Sequence, residues 1–229
     1  MEIDRKEFDR IYRHTQRIFK KYWYEEYKHF LEESYDYCAN VKKLETLLDI
    51  GCYTGVFHLF YEKYFSRIEL ADVADQRATP VIDRFPFHIF SLDASTLPLG
   101  IKEYDFINCL EVIEHVADDR KAVTNLFTLL KPDGYILLSV PNKLRMYERV
   151  KRSLGFRNKF PTRSADDYIN VHYREYSIDE IKNLLKSFGF RIEREQIVLA
   201  SIGPLYLSFL PFFPEKYKKN VIILAQKPS

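Results

Sequence analysis

Residues 47–55, "LLDIGCYTG", place two glycines four residues apart directly after a run of apolar residues. The apolar run predicts a buried strand, and Gly51 allows the chain to turn sharply where that strand ends. In an α/β sheet, the turn after the first strand lies at the crevice where ligands bind. Gly55 lets the next helix pack closely, or lets a ligand approach the N-terminus of that helix. Taken alone, the pattern fits an ordinary tight turn equally well.

Short apolar runs alternate with amphipathic segments on the C-terminal side of this turn. The predicted strands are "TLLDIG" (46–51), "RIELADV" (67–73), "FHIFSLD" (87–93), "YDFINCL" (104–110) and "YILLSVP" (135–141). Helices are predicted over 56–65 and 118–131, and "KPDG" (131–134) separates the second helix from the next strand. Alternation of this kind predicts βαβ units, and therefore an α/β fold with a doubly wound, mostly parallel sheet and right-handed crossovers.

The two ends of the chain extend this core. Residues 4–40 carry aromatic and charged residues at helical spacing, which predicts a helical cap over 1–43. Residues 143–163 hold eight basic residues and one acid, a local net charge of +7, within a predicted substrate-side insertion over 143–176. A helix with Ser177 as N-cap, Glu180 in a capping box and Gly189 at its end follows. Two closing strands, at 191–200 and 220–228, flank an apolar loop, and the whole of 1–229 is predicted to be one domain.

Composition narrows the class of protein. With 229 residues, 46% of them hydrophobic, the chain can bury one sizeable core. A net charge of +2 gives no global field that would favour nucleic acid or a membrane. Cys38, Cys52 and Cys109 have no metal-ligand spacing and are predicted to be reduced thiols. The charged N-terminus does not resemble a signal peptide, and no apolar run reaches the roughly 18 residues of a spanning helix, so a cytoplasmic location is expected.

Three acids follow the predicted strands in series. Asp49 ends the first strand and can accept hydrogen bonds from the loop or from an ammonium group. Asp72 ends the second strand about 20 residues later, where a carboxylate can accept from both hydroxyls of a ribose. Asp93 ends the third and can accept from the exocyclic amine of an adenine. Each acid alone is more often a loop starter or helix cap, but together they predict a slot shaped for a nucleoside.

At this level of detail the chain resembles a known family. "LLDIGCYTG", "ELADV", "SLDASTLPL", "YDFINCLEVIEHV" and "LLKPDGYILLSVPN" resemble, in order and at normal spacing, the motifs of class I S-adenosylmethionine-dependent methyltransferases. The resemblance covers residues 44–142, and "HYREYSIDEIKNLLKSFGF" extends it to about residue 192. It implies a seven-stranded, mostly parallel sheet with an antiparallel final hairpin, and S-adenosyl-L-methionine as cofactor.

The resemblance also implies the cofactor-binding residues. Gly51 and Gly55 would border the methionine part, Asp72 would bind the ribose and Asp93 would face the adenine. The full predicted set is Asp49, Gly51, Cys52, Tyr53, Gly55, Asp72, Val73, Asp93, Ala94 and Leu110. The family usually has glycine where Tyr53 stands, so the Tyr53 side chain is predicted to lean over the methionine end of the cofactor. The alternatives are that it lies on the surface or obstructs the slot.

"EVIEHV" places Glu111, Glu114 and His115 at i, i+3 and i+4, so that all three can share one helical face. Two carboxylates and an imidazole can hold a divalent cation. The pattern resembles that of metal-assisted O-methyltransferases of ubiquinone biosynthesis and of small-RNA 3′ ends, in which a metal ion would lower the pKa of the acceptor hydroxyls. In the alternative without metal, Glu111 orients cofactor or substrate, and His115 acts as general base or bonds locally.

His172, in "INVHYREYS", is the second catalytic histidine candidate, because in similar sequences a histidine precedes "REYS" near the substrate mouth. It can complete a metal set, act as base, or be an ordinary loop histidine. The basic stretch and the apolar loop at 204–214 together predict a small or amphipathic acceptor that is quinone-, lipid- or glycan-like. Peripheral contact of the apolar loop with a membrane is a further possibility.

Three other functions compete with O-methyl transfer to such an acceptor. RNA 2′-O-methylation fits the basic residues, but the sequence has no recognisable RNA-binding module. A non-catalytic binding protein of the same fold is suggested by Tyr53 and by the aromatic N-terminal helices. A nicotinamide dehydrogenase is disfavoured because the glycine turn lacks G-x-G-x-x-G spacing. The sequence does not predict the oligomeric state.

Overall fold

The computed structural model describes residues 21–99, 103–156, 171–198, 201–202, 205–206 and 214–229. Its strands are β1 (Thr46–Ile50), β2 (Arg67–Asp72), β3 (Phe87–Ile89), β4 (Tyr104–Leu110), β5 (Leu130–Pro141), β6 (Arg191–Val198), β7 (Ser201–Ile202), β8 (Leu205–Tyr206) and β9 (Asn220–Gln226). Its α-helices are α1 (Lys21–Val41), α2 (His58–Tyr61), α3 (Thr79–Ile82), α4 (Asp119–Leu129), α5 (Met146–Ser153) and α6 (Ile178–Ser187). Two 3-10 turns cover Ile113–His115 and Glu215–Tyr217.

Seven of the strands form one sheet in the order β3-β2-β1-β4-β5-β9-β6. Strands β1 to β5 pair in parallel, whereas β9 runs antiparallel to both of its neighbours, β5 and β6. This confirms the predicted seven-stranded, mostly parallel sheet. Because β1, β2 and β4 are adjacent and parallel, their carboxyl ends, and the loops that follow them, lie side by side at one edge of the sheet.

Two apolar layers cover the faces of the sheet. Helices α4 and α6 bury Leu126 and Leu185 against one face. On the other face, α1 buries Phe30 and Tyr35, and the Tyr35 ring lies 5.1 Å from the Phe106 ring on β4. Helix α1 is therefore part of the core. The helical spacing over residues 4–40 predicts a helix here, and the structure has one in the described part of that segment. Residues 1–20 lie outside the described residues.

The structure corrects three predicted elements. The helix predicted over 56–65 is only His58–Tyr61, because turns bonded i to i+3 hold the segments before and after it, and its N-cap has no side-chain hydrogen bond. Strand β3 ends at Ile89, so Asp93 lies four residues beyond its end. Strand β5 begins at Leu130 rather than at Tyr135, because Leu130 already pairs with Tyr104 of β4. The register shifts between Tyr104 and Phe106, and Asp133 has φ 60°.

Other local predictions are confirmed. Ser177 and Glu180 form the reciprocal capping box of α6, and Gly189 follows that helix at φ 94°. All three cysteines are free and buried. No helix in the described part of the chain has both the length and the apolar character needed to cross a membrane.

Candidate active site

A cavity of about 390 Å³ opens at the carboxyl ends of β1, β2 and β4. Its volume lies within the usual range for small-molecule sites. The residues around it come from the glycine turn and from the loops after β2, β3 and β4. They are Ile50, Gly51, Tyr53, Asp72, Val73, Gln76, Phe90, Ser91, Leu92, Glu111, Val112, His115 and Val116.

The glycine turn is shaped by positions that only glycine fits. Gly51 and Gly55 both have φ 75°. A Cβ on Gly51 would lie 2.2 Å from Cγ2 of Val112, and one on Gly55 would lie 2.6 Å from Cγ1 of Val81. The Gly51 amide donates to the Ala71 carbonyl at 2.8 Å, which attaches the turn to β2. Both glycines are therefore required by close packing as well as by backbone conformation.

Asp72, the last residue of β2, is fixed by backbone donors. Its Oδ2 accepts from the Tyr53 amide at 2.9 Å, and its Oδ1 accepts from the Val73 amide at 2.7 Å. Each carboxylate oxygen can accept a further bond, so both remain available to a pair of ligand hydroxyls at the cavity wall. This geometry suits the predicted contact with a ribose.

Tyr53 adopts the left-handed conformation, φ 49°, that glycine usually supplies. Its side chain is 39% exposed and belongs to the cavity lining. A ring at the wall of an open cavity fits the prediction that Tyr53 covers one end of a ligand. It does not fill the cavity.

Asp49 lies beneath the glycine turn and is not part of the cavity lining. It is 3% exposed, and its Oδ2 accepts from the Tyr61 hydroxyl at 2.7 Å. Burial raises the pKa of Asp49 to about 7, and the nearby charge of Asp72 adds to the rise, while the hydrogen bonds from Tyr61 and Asn108 oppose it. Its predicted contact with a cofactor therefore stays a prediction.

Asp93 holds a neighbouring loop in place. Its Oδ1 accepts from the Ser91 hydroxyl, and its Oδ2 accepts from the amides of Ala117 and Asp118 at 3.0 and 3.1 Å. Burial opposes ionisation of Asp93, but these donors outweigh it and set its pKa below the usual value. Ser91 lines the cavity, whereas Asp93 does not, so the adenine contact stays a prediction.

Four more residues of the predicted cofactor set are not among the lining residues. They are Cys52, Gly55, Ala94 and Leu110. Cys52 is buried, and the Ala94 carbonyl accepts from the Asn125 side chain at 3.0 Å. Their direct contact with a cofactor remains a prediction.

Glu111 follows β4 with φ 57°, an uncommon conformation for a residue with a side chain. Its Oε1 accepts from the Ser139 hydroxyl at 2.7 Å, and its Oε2 accepts from the Asn220 amide at 2.7 Å. Ser139 and Asn220 are 0% and 1% exposed. Two buried donors from β5 and β9 therefore hold the Glu111 carboxylate at the cavity wall.

The helical face predicted for Glu111, Glu114 and His115 is wrong in geometry. Glu111 has positive φ and lies outside the 3-10 turn Ile113–His115, so its carboxylate points to Ser139 and Asn220 instead. The group whose ligand atoms lie within 4.8 Å of one another is Glu114, His115 and His172. The structure thus replaces Glu111 with His172 in the three-residue cluster suited to a metal ion.

These three residues, the Glu114 cluster, are buried or half-buried. Glu114 is 1% exposed, and its Oε2 has no hydrogen-bond partner among the residues that the structure describes. Burial and then the Glu111 charge raise the pKa of Glu114 well above its usual value. The His115 and His172 rings meet edge to face at 4.6 Å.

Both imidazoles of the cluster are held in the neutral form. Burial lowers the pKa of His115. Burial, and then the charges of His115 and Arg145, lower the pKa of His172 to about 4. Near neutral pH each ring therefore has a nitrogen that can accept a proton or bind a metal.

The segment 171–176 is attached to the loop after β4. The Val171 carbonyl lies 3.2 Å from Nδ1 of His115, and the Tyr173 amide donates to the Glu114 carbonyl at 2.8 Å. Arg174 forms an ion pair with Asp119 at 2.6 Å. These contacts bring His172 beside His115, although the two are 57 residues apart.

Cations of the basic stretch that fall within the described residues have partners inside the protein. Lys143 pairs with Glu180, and Arg145 pairs with Glu148 and Glu175. The Arg149 guanidinium stacks on Tyr217 with its carbon 4.4 Å from the ring centre. The expected recognition of an anion by this stretch therefore gains no support from residues 143–156. Residues 157–170, and most of the apolar loop at 204–214, lie outside the described residues.

Sequence reasoning missed Ser139, Asn220 and Tyr61. Each reads as an ordinary strand or helix residue, and only the sheet order places Ser139 and Asn220 beside Glu111. A polar residue within the apolar run "YILLSVP" was the one available signal, because a buried hydroxyl needs a partner.

Comparison with known proteins agrees with this architecture. Residues 19–195 match the family model described as Methyltransferase domain. A Mycolicibacterium smegmatis (strain ATCC 700084 / mc(2)155) protein named "Probable S-adenosylmethionine-dependent methyltransferase" is 26% identical over 76% of this chain and 61% of its own length. A ubiquinone biosynthesis O-methyltransferase of Coxiella burnetii (strain Dugway 5J108-111) is 27% identical over 42% of this chain and 44% of its own length.

The chain thus spans less than two thirds of the length of either curated relative. Among solved structures, N-methyltransferase NodS from Bradyrhizobium japonicum WM9, in complex with S-adenosyl-L-homocysteine, superposes with a TM-score of 0.59. It is 15% identical, and the match covers 91% of this chain and 89% of NodS. At that identity the likeness shows a shared fold.

Proposed function

Because the chain belongs to the class I S-adenosylmethionine-dependent methyltransferase family, we propose that it transfers a methyl group from S-adenosyl-L-methionine to an oxygen atom. The proposed acceptor is a small or amphipathic molecule with a hydroxyl group, quinone-, lipid- or glycan-like. The observation that carries the proposal is one cavity that Asp72, Glu111 and His115 line together.

Proton removal distinguishes an oxygen acceptor from a nitrogen acceptor. A hydroxyl oxygen must lose its proton during methyl transfer, whereas a neutral amine already presents a free lone pair. The neutral ring of His115 supplies a proton acceptor on the cavity wall, and the neutral ring of His172 lies beside it. No Lys or Arg is among the lining residues that the structure describes. These features support a neutral hydroxyl acceptor.

Each residue has a proposed role in this reaction. Asp72 binds the ribose, the glycine turn borders the methionine part, and Tyr53 covers it. Glu111, fixed by Ser139 and Asn220, orients the acceptor hydroxyl, and His115 or His172 takes its proton. The bound cofactor supplies an activated methyl group on a sulfonium, so alignment of the acceptor contributes most of what the protein adds.

A divalent cation is the second component that we propose. One carboxylate oxygen and two imidazole nitrogens suit a borderline metal ion, and the unpartnered Glu114 Oε2 is a ready ligand. Bound there, a cation would attract acceptor oxygens and favour their ionisation. Titration of Mn²⁺ or Zn²⁺ into wild type and into His172→Ala tests the site. Equal affinities would contradict it.

Methyl transfer is tested by offering labelled cofactor and a panel of acceptors. Catechol-like rings, lipid-linked alcohols, glycans and RNA would be compared by release of S-adenosylhomocysteine, with His115→Asn as the matched variant. We expect an O-methylated product that falls with His115→Asn while S-adenosylhomocysteine affinity is kept. Methylation of RNA alone, or of amines alone, would contradict the proposed acceptor class. Absence of cofactor binding would favour a non-catalytic binding protein.

A further inference from the structure

Asp49 carries a buried carboxyl group without a cationic partner. In the described part of the chain, no Lys or Arg forms an ion pair with it. The Tyr61 hydroxyl, a neutral group, donates to its Oδ2 at 2.7 Å. A carboxylate so enclosed is costly, because its charge has lost water and gained no opposite charge.

The titratable groups around Asp49 are all neutral or acidic. They are Tyr35 from α1, Tyr61 from α2, Asp72 from β2, Cys52 from the glycine turn and Cys109 from β4. Asn108 from β4 adds a neutral amide. If any of these groups ionises to an anion, its charge opposes that of Asp49. Among the described residues none compensates the Asp49 charge, so a cation brought by a ligand would do so.

The proposed cofactor brings such a cation. Asp49 immediately precedes Ile50 and Gly51, which line the cavity. S-adenosylmethionine carries a positive sulfonium, whereas the sulfur of S-adenosylhomocysteine is uncharged. The two molecules differ by one methyl group and by this charge.

We propose that Asp49 is a charge-sensing residue beneath the glycine turn, which ionises when S-adenosylmethionine binds and is protonated again once the sulfonium has become a thioether. Tyr61 is its positioning residue. The proposal rests on the cofactor of the proposed function.

The proton balance of this cycle is simple. When the charged cofactor binds, the O–H bond of the Asp49 carboxyl breaks and the proton goes to solvent. After methyl transfer the carboxylate takes a proton from solvent, and no electrons are exchanged. The protein therefore prefers substrate cofactor over product cofactor increasingly as pH rises, which aids product release.

The size of the effect follows from linkage. The pKa of Asp49 lies at about 7, so the group changes from mostly protonated to mostly ionised between pH 6 and pH 8. The affinity for S-adenosylmethionine relative to S-adenosylhomocysteine is then expected to rise up to about tenfold over that interval. At pH 7 about half a proton per bound S-adenosylmethionine should be released from this residue.

The test is calorimetry of the full chain with each cofactor at pH 6, 7 and 8, in buffers of different ionisation enthalpy. The cofactor amine also titrates near neutrality, but it is the same molecule in the experiments with wild type and with Asp49→Asn, so the difference between the two proteins isolates Asp49. We expect Asp49→Asn to abolish the pH-dependent part of the preference. Tyr61→Phe removes a donor to the carboxylate and should move the pH profile upward.

Tyr104→Phe is the matched control, because the Tyr104 hydroxyl also donates to a buried carboxylate, Glu69, at 3.0 Å, but from the start of β4. Its pH profile should equal that of the wild type. Equal pH dependence in wild type and Asp49→Asn would overturn this inference but leave the proposed function intact. If Asp49→Asn does not fold, an unchanged pH profile in Tyr61→Phe would overturn the inference instead. A wild type that binds neither cofactor would instead overturn the proposed function.

Discussion

The two proposed sides of the cavity, a cofactor side and an acceptor side, are built in different ways. On the cofactor side, the turn at 51–55 and Asp72 are joined by backbone amides from nearby positions in the sequence. On the acceptor side, side chains from β5 and β9 hold Glu111, and His172 comes from a separate segment to lie beside Glu114 and His115. Backbone donors persist when side chains change, whereas the acceptor side depends on particular residue types.

This contrast indicates how one fold keeps its cofactor and varies its substrate. A site built from backbone amides needs only a short local sequence pattern, because glycines in the turn and one acid after the next strand are enough to form it. An acceptor site assembled from distant side chains can be altered residue by residue without disturbing the sheet. Single substitutions can separate the two sides, because each one should change either cofactor affinity or the rate of methyl transfer.

Gly51→Ala tests the contact between the glycine turn and Val112, which lies in the loop after β4. The new Cβ would lie 2.2 Å from Val112 at φ 75°, so overpacking and backbone strain should together cost about 2–4 kcal/mol of unfolding free energy. Gly155→Ala is the control, since Gly155 has φ 84° and the new Cβ would meet no atom of the described residues within 4 Å. Thermal unfolding should show a clearly larger loss for Gly51→Ala. Equal losses would mean that the turn can relax away from Val112.

Asp72→Ala should act on the cofactor side alone. Loss of the carboxylate removes the ribose contact and leaves the Tyr53 and Val73 amides unpaired, so S-adenosylhomocysteine affinity should fall by roughly 1.5–3 kcal/mol, or about 10- to 150-fold. Asp75→Ala is the control, because Asp75 is an exposed neighbour paired with Arg77 at 2.8 Å. Unchanged calorimetric affinity in Asp72→Ala would refute the ribose assignment.

Asn220→Ala should act on the acceptor side alone. The Glu111 carboxylate would lose one of its two side-chain donors, and methyl transfer should slow by about 1–2 kcal/mol, or roughly 5- to 30-fold. Affinity for S-adenosylhomocysteine should be kept. Gln226→Ala changes a buried amide at the other end of β9 and controls for stability. A parallel fall of cofactor affinity and rate would contradict the division between the two sides.

Tyr53→Ala should have the smallest effect. The ring covers an open part of the cavity, so its loss should weaken S-adenosylhomocysteine binding by about 0.5–1 kcal/mol, a few-fold. Tyr53→Phe keeps the ring and should bind as the wild type does. Tighter binding by Tyr53→Ala would mean that the ring obstructs the cofactor rather than covering it.

The sequence predicted the sheet and the conformation of the glycine turn well, for a physical reason. The alternation of strands and helices and the positions of Gly51 and Gly55 depend on local backbone requirements. A single sequence is enough to reveal such requirements. It did not predict the positive φ of Glu111, which moves that carboxylate away from Glu114. It also could not reveal Ser139 and Asn220, because their role exists only once β4, β5 and β9 are adjacent.

The buried thiols give this protein natural reporters of its own motions. Cys38 lies in α1, Cys52 in the glycine turn and Cys109 in β4, each at most 2% exposed, and burial raises the pKa of all three. A thiol reagent can therefore modify each one only while its surroundings open. Labelling followed by peptide mapping would yield separate opening rates for helix, turn and strand, and ligand protection confined to Cys52 would locate the ligand without a single mutation.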